Sequence, residues 1–201
     1  VEKDINNKKD LITKTIQNGN KAFTREQYKV ALNSWINARD YIHKSFNDLP
    51  VKDDIDGDGI NDELTAYING SINNFINNLS IKLLNTNFTY DVLGRINKNP
   101  LIKVQYQDSQ NNMNPIPNLK LKVEFINGSG DISKIISTNK KGQAKIKINS
   151  IGIDTKTALL QATLDFSMIQ GLQKYYNFKP PSIRINLNSE IKEMLGRIDI
   201  G

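Results

Sequence analysis

Cysteine is absent from the 201 residues, which rules out disulfides, thiolate nucleophiles and zinc-thiolate centres. Histidine occurs once, at His43, so any Ser-His-Asp triad must use that residue, and no Gly-x-Ser-x-Gly elbow supplies a nucleophile. A Gly-x-x-x-x-Gly-Lys-Ser/Thr phosphate loop is missing as well. No apolar run approaches the roughly 18 residues of a membrane span, and no secretory hydrophobic segment is present. Together these absences point away from an enzyme, and none is expected.

The chain has 38% hydrophobic and 24% charged residues, as in a globular protein, with room for one large or two small domains. Its net charge of +6 is uneven: residues 1–98 hold 13 Lys/Arg and 13 Asp/Glu, and residues 99–201 hold 14 and 8. The chain starts at Val1 and not at methionine, which reads as a processed or truncated product.

The sharpest chemical signal runs from Asp54 to Thr65, Asp-Ile-Asp-Gly-Asp-Gly-Ile-Asn-Asp-Glu-Leu-Thr. Alternating carboxylates followed by a glycine are what a hard cation needs from a loop that folds back on itself. Asp54, Asp56 and Asp58 are the expected side-chain ligands and Ile60 the expected carbonyl ligand; Asp62 would act directly or through a water. The bland alternative is an Asp/Gly-rich turn. The stretch resembles EF-hand-like loops, and also the calcium repeats of thrombospondin type 3 and of dockerins. That resemblance implies Ca2+. It departs from the EF-hand at the closing position, where Thr65 stands in place of a bidentate glutamate and Glu63 comes two residues early, so weak binding, roughly 10⁻⁴ to 10⁻³ M, is expected.

Around this loop the apolar period is helical. Ile5, Ile12, Ile16 and Phe23 predict a first helix weakened at Gly19-Asn20. Tyr28, Ala31, Leu32, Trp35, Ala38 and Ile42 predict a second from a Thr24 cap to about Phe46, and Ile68, Ile72, Phe75, Leu79 and Leu83 a third from Glu63 to about Leu84. Gly19, Tyr28, Ala31, Trp35 and Ala38 stand at spacings that resemble one tetratricopeptide (TPR) repeat. A lone repeat implies a helical hairpin rather than a stacked peptide groove.

From about residue 85 the period becomes two. Ile102/Val104/Tyr106, Leu119/Leu121/Val123/Phe125, Ala144/Ile146/Ile148, Leu160/Ala162/Leu164/Phe166 and Ile183/Ile185/Leu187 predict strands, separated by turns at Asn114-Pro115, 127–130, Lys141-Gly142 and Pro180-Pro181. A short helix is predicted near 189–195. Pro115 to Phe125, then Gly128-Ser129-Gly130 and Ser137 to Ala144, resemble the invasin-type bacterial immunoglobulin-like domain, with Asn139 in place of that family's aspartate. Tyr175-Tyr176-Asn177-Phe178-Lys179 could stack on bases, but an aromatic loop over one end of a sandwich is the commoner arrangement, and nucleic acid is not expected.

The expected fold is therefore α+β in two domains: an antiparallel helical bundle over 1–97 with its calcium loop at 54–65, and an immunoglobulin-like antiparallel β-sandwich over 98–201. The expected function is a non-enzymatic, extracytoplasmic binding or scaffold module of a bacterial envelope protein, in the periplasm or at the cell surface and lipid-anchored upstream of Val1. Its expected partner is a protein or an anionic envelope surface. The alternative is a pair of accessory domains from a calcium-dependent secreted hydrolase. Lys103, Lys120, Lys122, Lys145, Lys147 and Arg184 should point away from the β core, either to meet an acidic partner or to guard strand edges.

Overall fold

The computed structural model describes residues 2–152, 157–169 and 171–190. The described residues form an α+β protein that divides into two compact units, Val1–Asn78 with Ser167–Phe178, and Leu79–Phe166 with Lys179–Gly201.

In the first unit, α1 (Glu2–Thr24) and α2 (Tyr28–Phe46) form a hairpin, a ribbon of β1 (Lys52–Asp53) and β2 (Asp62–Glu63) follows, and α3 (Leu64–Asn77) completes the bundle. The apolar stripes become its core: Ile12, Ile16, Ala31, Leu32, Trp35, Ile42, Ile68, Ile72 and Phe75 are buried. Phe23, Tyr28 and Phe75 meet edge-on or stacked, with ring centroids 5.3 to 5.8 Å apart. Helix α1 does not weaken at Gly19, because a Cβ there would lie 2.7 Å from the Trp35 indole; glycine is what lets α2 approach. Two expectations fail at the ends of this hairpin. Ile5 is 45% exposed, beyond the reach of the core. Thr24 ends α1 instead of capping α2, and the chain turns through Glu26 at φ 59°.

Helix α3 stops at Asn77, not near Leu84, and Leu79–Leu83 is a strand, β3, of the second unit. The apolar residues Leu79, Ile81 and Leu83 sit opposite Tyr106, Val104 and Ile102, so strand pairing overrides the helical spacing. Further strands are β4 (Phe88–Tyr90), β5 (Leu101–Gln107), β6 (Met113–Pro115), β7 (Lys120–Asn127), β8 (Gly130–Ile132), β9 (Ile135–Ser137), β10 (Gln143–Lys145), β11 (Ile148–Ile151), β12 (Thr157–Leu164) and β13 (Ser182–Ser189). Residues 79–97, expected in the helical domain, thus give the second unit two strands, β3 and β4.

The larger sheet runs β4-β13-β12-β7-β9 and the smaller β10-β5-β3, with β6 also on β5 and a separate β8-β11 pair. Pairing is antiparallel except between β4 and β13, which is parallel and corrects the all-antiparallel expectation. Asn114-Pro115 is not a turn: it lies in β6, and the chain reverses at Asp108–Asn112 around the Asp108 carboxylate. Alternation sorts the side chains as expected, with Ile102, Val104, Leu121, Ala144, Ile146, Leu160, Ala162, Ile185 and Leu187 buried. The helix expected near 189–195 lies outside the described residues beyond Glu190; Ser189 ends β13.

Thr138 secures the hairpin between β9 and β10. It is 3% exposed, its Oγ1–H donates to the Ile116 carbonyl at 2.7 Å, and the same oxygen accepts from Leu119 N–H at 2.9 Å. Asn139 Oδ1 then accepts from Lys141 N–H and Gln143 N–H, and Gly142 at φ 70° closes the turn where a Cβ would meet the Val104 carbonyl at 2.6 Å. Replacing Thr138 by valine keeps the shape and strands both buried partners. The change should cost about 1–3 kcal/mol, read as a lower urea midpoint for loss of β signal.

Candidate metal loop and its surroundings

The chain between α2 and α3 reverses within residues 47–63, and it does so by wrapping backbone around Asp54. Asp54 accepts from Gly57 N–H at 2.7 Å on one oxygen and from Gly59 N–H at 2.9 Å on the other. Asp58 Oδ1 accepts from Ile60 N–H at 2.7 Å, and Asp56 Oδ1 from Asp58 N–H at 3.3 Å. Gly57 and Gly59 both take φ 83° with open space around them, so it is the left-handed backbone, not crowding, that calls for glycine.

The result is a set of carboxylates, one oxygen each from Asp54, Asp56 and Asp58, that lie within 4.8 Å of one another. An all-oxygen, all-anionic donor set of this kind suits a hard divalent cation and offers nothing to a soft one. Asp62 is not among these three carboxylates. Asp62 is half-buried in β2, directly opposite Asp53, and the Ile60 side chain is 67% exposed with its N–H turned to Asp58.

Glu63 does something else. Its two carboxylate oxygens accept from Thr65 N–H and Ala66 N–H, capping α3. An acidic residue just ahead of a helical apolar pattern is the signal for that role.

The loop is fastened to α1. Thr13 Oγ1–H donates to Asp53 at 2.6 Å, Lys9 pairs with the other Asp53 oxygen at 3.1 Å, and Gln17 Nε2–H donates to the Ile55 carbonyl at 3.0 Å, with Ile55 itself buried. Burial works to raise the Asp53 carboxyl, but the bonds from Thr13 and Lys9 outweigh it and hold the pKa below the ordinary value. Sequence reasoning missed these partners because they lie 38 to 44 residues away.

On α3, Tyr67 accepts from Asn20 Nδ2–H at 2.8 Å, and Asn20 Oδ1 accepts from Trp35 Nε1–H at 3.0 Å. Burial raises the Tyr67 pKa, the Asn20 bond opposes it, and the fields of Asp56 and Asp62 add to the rise. The negative charge of the loop is thus felt at the half-buried Tyr67 hydroxyl.

A second cluster, also unforeseen, sits on α2. The aromatic segment, expected in the β domain, falls in the other unit: residues 167–178, with the short helix α4 (Leu172–Tyr175), belong to the helical unit. Tyr175 O–H donates to Asp40, which also pairs with Lys44 at 3.0 Å and Lys174 at 3.1 Å. Arg39 and Lys174 each lie 4.7 Å from the Tyr175 ring centroid, and Tyr176 O–H donates to Asn69 at 2.7 Å. The Tyr175 bond, then Lys44 and Lys174, hold the Asp40 carboxyl well below the usual range, while burial pushes Tyr176 up to about 12. His43 Nδ1 sits 2.7 Å from Asp48, which Arg39 also engages.

Among the described residues, no helix is long and apolar enough to cross a membrane. No protein-family model, curated protein or solved structure matches this chain.

Two outcomes follow from these contacts. Glu63→Ala should cost about 0.5–2 kcal/mol through loss of the α3 cap. Because both Glu63 oxygens serve the helix, it should leave the affinity of the loop for calcium unchanged in a titration of the folded variant. Asp40 has a depressed folded pKa, so its stabilisation is present above the ordinary carboxyl value of 3.8 and is lost as pH falls toward the folded value. The gap in melting temperature between parent and Asp40→Asn should therefore narrow between about pH 5 and pH 2.

Proposed function

We propose that this chain is a non-catalytic, extracytoplasmic binding or scaffold module of a bacterial envelope protein, with a helical unit clipped by a structural calcium ion and an immunoglobulin-like β-sandwich as its second unit. The observation that carries the reading is the convergence of Asp54, Asp56 and Asp58 within 4.8 Å on a loop whose backbone is already folded around them. In this account the Ile60 carbonyl and Asp62 complete the coordination, Asp62 directly or through a water.

The role of the ion is mechanical. Like charges this close repel, and a divalent cation turns that repulsion into a tie between the end of α2 and the start of α3. With Thr65 at the closing position, binding is weak and is satisfied only where calcium approaches millimolar levels, which supports a location outside the cytoplasmic membrane. The sandwich reading is supported by two sheets that each bury one apolar face, and by the Ser137–Ala144 hairpin built on Asn139 and Gly142. The lack of catalysis is supported by the sequence, which has one histidine, no cysteine, no Gly-x-Ser-x-Gly elbow and no phosphate loop. The partner in this account is a protein or an anionic envelope surface.

Thermal unfolding tests the clip. At a dissociation constant of about 10⁻⁴ M, about 1 mM calcium should add roughly 1.4 kcal/mol and raise the melting temperature by a few degrees over excess chelator. Asp56→Asn/Asp58→Asn should abolish that difference. A parent with equal melting temperatures in calcium and chelator would remove the calcium reading.

A further inference from the structure

On the face of the smaller sheet opposite its apolar core, the register assembles a partly exposed group of lysines and leucines. Lys82 on β3 stands directly opposite Lys103 on β5, and Lys145 on β10 stands opposite Leu101, one step along the same face. Directly opposed residues bring their Cβ atoms to about 4.5–5.5 Å, and like charges in that relation destabilise a sheet. None of the three lysines forms an ion pair among the described residues. The neighbouring positions on this face offer no acid: Gln143 lies beside Lys103, and the Ser80–Gln105 pair on one side of the lysines is covered, with Gln105 7% exposed and the Ser80 hydroxyl buried.

Edge protection explains only part of this. A lysine on an outer strand deters edge-to-edge pairing, which would serve for Lys82 and Lys145. It does not serve for Lys103, because β5 is flanked by β10 on one side and β3 on the other. A half-buried lysine at the centre of a sheet, facing another lysine, calls for an anion.

The same face carries an apolar pair. Leu84 N–H donates to the Leu101 carbonyl at 2.8 Å, which continues the pairing past β3, and Leu84 is 44% exposed. Leu84 and Leu101 therefore lie side by side, with Lys82 and Lys103 on one flank and Lys145 on the other. Leucines set among lysines on a flat surface match the boundary between phosphate headgroups and acyl chains. No arginine is present to grip a single phosphate in bidentate fashion, and no aromatic ring is present on these rows to stack on a base.

We propose that the outer face of the β10-β5-β3 sheet is a membrane-docking surface, in which Lys82, Lys103 and Lys145 bind the phosphates of anionic lipids and Leu84 and Leu101 enter the headgroup layer. This deepens the envelope reading above and rests on it for the supply of anionic lipid; it does not depend on the calcium loop.

The test is co-sedimentation of the full chain, in chelator, with vesicles of phosphatidylcholine alone or with roughly 30% phosphatidylglycerol. The parent should bind the anionic vesicles at about 50 mM salt, lose them by about 300 mM, and ignore the neutral ones. Lys82→Glu/Lys103→Glu should weaken binding by about tenfold or more, whereas Lys120→Glu/Lys122→Glu, an equal change of charge on the larger sheet, should weaken it by less than about threefold. Leu84→Ser should weaken vesicle binding by about fivefold. Circular dichroism checks the fold of each variant, and Lys82→Ala, a milder change on an outer strand, replaces the first pair if that pair does not fold. A folded parent that fails to bind anionic vesicles at low salt, equal losses from the two charge-reversed pairs, or preference for poly-aspartate over vesicles would each overturn the proposal. A melting temperature that still rises with calcium in the first of these cases would leave the calcium-clipped module standing.

Discussion

Three carboxylates held within 4.8 Å of one another repel, and the helical unit is built across that repulsion. Everything near the loop works to hold it closed. Backbone N–H groups of Gly57 and Gly59 converge on Asp54, the β1–β2 ribbon pairs the two ends of the loop, and Leu64 N–H donates to the Val51 carbonyl at the ribbon's base. Helix α1 adds Thr13, Lys9 and Gln17 from the side. Glu63 is drawn off to cap α3, so its carboxylate serves the helix. This division of labour is what makes a cation the natural completion of the joint.

The second unit has the opposite electrostatic character. Its two segments, Leu79–Phe166 and Lys179–Gly201, contain 16 Lys/Arg against 9 Asp/Glu, while the helical unit with Ser167–Phe178 holds 11 against 12. Alternation pushes the basic side chains outward while Ile, Val and Leu fill the core. The loop concentrates five acidic residues within 54–65, and the excess of base lies in the second unit. In the account proposed above, the first would serve a divalent cation and the second an anionic surface.

The parts legible in the sequence were those with local causes. The Asp54–Asp58 cluster was legible because alternate residues of a tight loop converge whatever the rest of the chain does, and β5, β7, β12 and β13 because period two survives any topology; the expected strand through Ala144, Ile146 and Ile148 instead divides between β10 on β5 and β11 on β8. The end of α3 was not legible, since Leu79 and Leu83 continue a helical stripe and also alternate around Ser80 and Lys82; only the partner strand β5 decides between them. The pairing of Asp62 with Asp53 across the ribbon was not legible either, because loop spacing alone does not name a cross-strand neighbour. The Asp40–Tyr175 bond joins residues 135 apart, and no local pattern announces such a partner.

Calorimetric titration of calcium into the full chain bears most directly on the central claim. The account predicts one site with a dissociation constant of roughly 10⁻⁴ to 10⁻³ M, abolished by Asp56→Asn/Asp58→Asn and retained by Glu63→Ala. A parent that takes up no calcium across that range, or a double variant that binds as the parent does, would contradict it.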